Sequence, residues 1–185
     1  MQKRVSTLTC VLMLCMFLSP ITARAATNRE SEARDVALTI EMLEGTDDAS
    51  ALGEEILKSV LEMDDETIAE MKKMTPDMAP DIEATIEAAV LFANMAARTC
   101  RHFTTEVVEK FSVTDPRLKA ALLVCLNEMT IVYDMRGEKY RRLADAFKKS
   151  GSRSIDKSRD GVIEQHLVKA ATAFNQAKAL HGRTR

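Results

Sequence analysis

From Asp81 onward the apolar positions fall into a strict order. Ile82, Ile86, Ala89, Ala93, Ala96, Cys100, Phe103 and Val107 follow one another at steps of four and three residues. That spacing keeps one helix face apolar and predicts a single long helix ending around Phe111. Val113-Thr114-Asp115 reads as a turn. Pro116 suits a first helical position, where its missing N–H costs nothing, with Asp115 or Thr114 as the cap. Leu118, Leu122, Cys125, Met129 and Val132 repeat the rule and carry a second long helix to about Lys149. Gly151 and its neighbouring serines interrupt the pattern. Ile163, Leu167, Ala170, Phe174 and Ala177 then define a third long helix, ending before Gly182.

Ahead of Asp81 the pattern predicts shorter pieces. Thr27 or Asn28 can cap a helix with Val36, Ile40 and Leu43 on its apolar stripe, running to about Glu44 with Gly45 as its stop. Asp47 or Asp48 then caps a second helix, with Leu52, Ile56, Val60 and Leu61 on one face. Asp64 and Asp65 open a third piece ending near Met74. Residues 75–80 form a linker, because Pro76 and Pro80 cannot both lie inside one helix. The fold class that follows is all-α: an up-and-down antiparallel bundle of three long helices. The shorter N-terminal helices supply its fourth position or a lid. Residues 26–80 and 81–185 make one domain.

The first twenty-five residues follow a different rule. Lys3 and Arg4 precede an apolar run from Leu8 to Leu18, Pro20 breaks it, and Ala23-Arg24-Ala25 is a small-x-small cleavage signal. That order predicts a secretory signal peptide, residues 1–25, and an extracellular product beginning near Ala26. The run is shorter than the roughly 20 residues a membrane span needs, and no second long apolar run follows. A mature chain without a membrane span is therefore expected.

Export changes the reading of the cysteines. Cys10 and Cys15 leave with the leader, and Cys100 and Cys125 remain. An even pair in an exported chain is read as a disulfide, with two free buried thiols as the alternative. Partners in an antiparallel hairpin lie equally far from its turn. The midpoint of Cys100 and Cys125 falls between Ser112 and Val113, close to the predicted turn. A Cys100–Cys125 bridge closing that loop would stabilise by about 3 kcal/mol.

Charge separates along the chain. The leader holds three of the 26 basic residues and none of the 28 acidic ones, leaving a formal −5 on the rest. That balance argues against nucleic acid as a partner. Residues 30–70 are rich in acids, whereas cations prevail beyond residue 135. Arg141, Arg142, Lys148, Lys149 and Arg153 are the candidate partner-binding residues of that basic stretch; a face covered by the protein's own acidic helices is the alternative.

No constellation for chemistry stands out. His102, His166 and His181 are the three histidines, and none falls in His-Glu-x-x-His, Glu-x-x-His or His-x-x-x-His spacing. No paired Cys-x-x-Cys, phosphate-cradling glycine loop or nucleophile elbow occurs. The expectation is no catalytic residue, no metal and no cofactor. Methionine is plentiful, with Met71, Met74 and Met78 beside the proline linker. Core filling is its ordinary use, and an adaptable apolar pocket for a lipid or small ligand is the alternative.

The segment Thr114 to Tyr133 resembles the plant invertase and pectin methylesterase inhibitor family. There an Asp-Pro turn leads into a helix with a Leu-Lys…Leu…Cys…Tyr pattern, matched here by Leu118, Lys119, Leu122 and Cys125. Val168–Thr172 is similar to a small-residue stretch of that family's next helix. The resemblance implies an exported four-helix bundle that does no chemistry and acts by binding a carbohydrate-active enzyme of the cell wall. An apolar-ligand carrier and a secreted signalling or effector bundle are the other expectations.

Overall fold

The structure, a computed structural model, describes residues 28–111 and 115–183. The predicted leader at 1–25 and turn residues Val113 and Thr114 lie outside that range. Five helices build an all-α bundle: α1 (Asn28–Glu62), α2 (Asp65–Met74), α3 (Ile82–His102), α4 (Pro116–Ser150) and α5 (Asp160–Gly182).

The long helices start and stop where their caps dictate. Asp81 accepts from the Ala84 N–H at 3.0 Å to open α3, and Asp115 accepts from Arg117 N–H at 2.9 Å to open α4 with Pro116 behind it. Asp64 does the same for α2 through Thr67 N–H. Gly151 ends α4 in the left-handed region at φ 68°, which only glycine enters without strain.

α3 does not continue as one regular helix to Phe111. It passes into a π turn at Phe103–Val107 and a 3-10 turn at Val108–Lys110. The Thr104 and Thr105 hydroxyls donate to the carbonyls of Cys100 and Arg101, a local bond that competes with the regular ladder. The wider turn rotates the apolar seam by one residue. Thr104 and Val108 are buried where the spacing placed Phe103 and Val107. The Lys119 ammonium then donates to the Glu109 carbonyl at 2.7 Å, tying the end of this segment to α4.

The two N-terminal helices expected around Gly45 are one helix of 35 residues. Gly45 and Gly53 each cost about 1 kcal/mol against alanine in a helix interior. The burial along α1 outweighs that. Val36, Leu43, Ser50 and Leu57 are all buried at steps of seven residues, with Thr39 and Val60 beside them. The stripe expected on Leu52, Ile56, Val60 and Leu61 is buried only in its second half: Val60 is buried and Leu61 packs against the core, whereas Leu52 and Ile56 are about half exposed and Leu57 is buried beside them.

Contacts set the topology. α3 pairs antiparallel with α4, where Lys148 meets Glu83 and Glu87, and Arg101 meets Asp134. α5 runs antiparallel to α4, with Arg159 on Glu138 and His166 on Glu128. α1 runs parallel to α4 and occupies the fourth position of an up-down-up-down bundle. It packs mainly on α3 and touches α5 lightly. One core cluster is centred on Cys100, Leu122, Leu126 and Tyr133, and a second on Leu57, Ile86, Tyr140 and Leu143.

Candidate ligand cleft between α1 and α5

The expected Cys100–Cys125 bridge is corrected by the structure, which holds both as free, buried thiols. Register explains it. The backbone of Gly137 lies against Ala93 and Asn94, where an added Cβ would come 3.1 Å from the asparagine side chain. Six or seven residues along α3 reach Cys100, and the same count back along α4 reaches Thr130 or Ile131. By that crossing Cys125 lies about five or six residues along α4 from the position facing Cys100. Burial pushes each thiol up to about 12, helped for Cys100 by Cys125 and for Cys125 by the Asp47 carboxylate. Neither carries the thiolate that nucleophilic chemistry needs.

The basic stretch is largely spent inside the molecule. Arg142 pairs with Glu138 and Asp156, Lys148 with Glu83 and Glu87, and Arg153 with the Met63 carbonyl and Asp65. Lys139 with Asp160 and Arg159 with Glu138 fasten the α4–α5 connection in the same way. The crevice among these groups holds about 10 Å³, space for a single water. Arg141 and Lys149 are exposed and make no ion pair among the described residues. The five cations proposed as one docking face are thus brought together only in part.

A polar ladder joins α1 to α4. The Tyr133 hydroxyl donates to the Thr46 carbonyl at 3.3 Å, and Arg136 donates to Ser50 Oγ at 2.6 Å. Arg136 Nε also lies 2.9 Å from Glu54 Oε1, and the Tyr140 hydroxyl donates to that same oxygen at 2.8 Å. Thr46, Ser50 and Glu54 recur every four residues on one face of α1, opposite positions 133, 136 and 140 of α4. Burial raises both tyrosine hydroxyls above their ordinary value, reinforced at Tyr140 by the Glu54 carboxylate.

Held this way, α1 leans on α3 and leaves a cleft of about 530 Å³ against α5. Cys125 and Met129 of α4 make its floor; Leu167, Ala170, Ala171, Phe174 and Asn175 of α5 make one wall. Leu43, Glu44, Asp47 and Asp48 of α1 make the other. Lys178 links two of the lining residues: its ammonium donates to Glu44 Oε1 at 2.5 Å and lies 5.3 Å from the Phe174 ring centre. His166 and Glu128 join α5 to α4 beside the floor residues Leu167 and Met129.

These lining residues escaped sequence reasoning as a group. Asp47 and Asp48 read as a helix cap, and Leu167 and Phe174 as ordinary seam positions. The usable signal was that large apolar residues at 167 and 174 share a cleft with the acids Glu44, Asp47 and Asp48 of α1. Among the described residues, no three His, Cys, Asp or Glu side chains gather to hold a metal, and no helix is long and apolar enough to cross a membrane. No family model, curated protein or solved structure matches the chain.

Proposed function

We propose that this is an exported, non-catalytic binding protein that holds a small apolar ligand in the cleft between α1 and α5. The observation that carries the reading is the cleft itself. At about 530 Å³ it falls within the range of small-molecule sites, and most of its lining is apolar. Export rests on the charged start, the Leu8–Leu18 run and the Ala23-Arg24-Ala25 signal.

The test is calorimetric titration with decanol, set against an Ala171→Trp variant. Ala171 is exposed and lines the cleft, so an indole there obstructs the apolar wall of the site without displacing core residues. Saturable binding that A171W abolishes supports the reading; no binding, or binding that A171W leaves unchanged, ends it.

A second reading has one observation in its favour. Arg141 and Lys149 stay exposed and unpaired by any described residue, leaving two cations for an acidic protein partner. It corresponds to the inhibitor role implied by the resemblance at Thr114–Tyr133. Unchanged rates of pectin methylesterase and acid invertase at micromolar concentrations of the protein would remove it.

A further inference from the structure

The cleft is asymmetric in charge. Three carboxylates, Glu44, Asp47 and Asp48, line the α1 side, and no Lys, Arg or His is among the lining residues. Only Glu44 has a cation against it, the Lys178 ammonium. Asp47 and Asp48 form no ion pair among the described residues. Asp47 is close enough to the floor for its charge to reach the Cys125 thiol and the Tyr133 hydroxyl behind it.

Lys178 also shows what this lining accepts. Its ammonium sits between a carboxylate of α1 and the face of Phe174, two contacts that attract a cation. The arrangement is a cation site at the edge of an apolar cleft, with one position filled by the chain and two carboxylates left open. Both charges of the Lys178–Glu44 pair are nearly half exposed, so the pair is weak and readily displaced.

Resting on the cleft reading, we infer that its ligand is an apolar molecule with one positively charged, amine-type end, its body on Met129, Leu167 and Phe174 and its cationic end toward Asp47 and Asp48. An anionic amphiphile meets the opposite situation. Its carboxylate would face uncompensated acids with only Lys178, already engaged, to answer it.

The experiment is calorimetric titration of the full mature chain with decylammonium, decanol and decanoate, each below its micelle threshold and at low salt. All three share one apolar body, so they differ only in the end group. The expected result is decylammonium about tenfold tighter than decanol, and decanoate weaker than both, as one close charge pair in a partly wet site gives. Asp47→Asn with Asp48→Asn removes the preference for decylammonium over decanol. Lys178→Met strengthens decylammonium by freeing Glu44. Equal affinities of the three probes, all lost in A171W, overturn the charge inference and leave the cleft reading standing. No binding by any of them removes both. A decylammonium preference that persists in the double Asn variant overturns the assignment of Asp47 and Asp48.

Discussion

Removing the Glu54 carboxylate is the sharpest perturbation of the α1–α4 ladder. Arg136 is a guanidinium whose side chain is only 11% exposed, and its charge is answered by Glu54 and by the buried Ser50 hydroxyl. Glu54→Ala strips the charge partner from Arg136 and the acceptor from the buried Tyr140 hydroxyl in one step. Deleting one member of a fully buried pair costs about 3–5 kcal/mol. Glu54 is itself 42% exposed, so water reaches the gap, and the expected cost falls to about 2–3 kcal/mol. Arg136→Met leaves Glu54 free to turn to solvent and costs about 1 kcal/mol. The double variant should then be less damaging than the two singles added together, with a coupling of at least about 1 kcal/mol. Urea unfolding followed by far-ultraviolet circular dichroism measures all three. An E54A cost below about 0.5 kcal/mol, the level of an ordinary surface change, with additive singles, would refute the ladder as the element that pins α1.

Three further outcomes follow from the same structure. An added Cβ at Gly45 or Gly53 meets nothing within 4 Å, so Gly45→Ala and Gly53→Ala should each stabilise by about 1 kcal/mol and raise Tm by about 2–4 °C; a lowered Tm would show that α1 is broken there after all. Burial raises Cys100, Cys125, Tyr133 and Tyr140 in the folded state. Groups raised on folding favour the fold below their unfolded values and lose that contribution as pH climbs. Unfolding free energy from urea titrations should therefore fall from about pH 9.0 for the thiols and 10.0 for the tyrosines toward pH 12, by up to about 1.4 kcal/mol per pH unit for each group; a free energy that holds steady there would contradict the burial. Finally, both thiols should take up N-ethylmaleimide after denaturation without reductant and resist it in the folded chain; a crosslinked Cys100–Cys125 peptide would overturn the register.

The repeating seams made much of this fold legible. Apolar residues at Ile82, Ile86, Ala93, Ala96 and Cys100, and at Leu118, Leu122, Cys125, Met129 and Val132, are buried as their spacing requires. The caps at Asp64, Asp81 and Asp115 and the stop at Gly151 likewise follow from local chemistry. What stayed hidden depended on partners distant in sequence. The seam of α1 passes through Ser50, a polar residue that becomes a core position only because Arg136, 86 residues later, donates to it. Gly45 and the acids after it looked like a helix boundary, since nothing local discloses the ladder that ties α1 to α4. The cysteine register failed because a turn centre read from sequence carries an error of a few residues, and two or three suffice to separate two thiols. The cleft was least legible of all: it is a gap left where one helix leans toward α3 and away from α5.

Where an apolar cation enters the bundle decides most directly whether the cleft is a binding site. Methyl-resolved NMR of the protein titrated with decylammonium would locate it. Saturable shifts confined to Leu43, Met129, Leu167, Ala170 and Ala171, with the Phe174 ring following, are the predicted result. Shifts centred on the exposed Leu52 and Ile56 of α1, or no saturable shift at all, would contradict it.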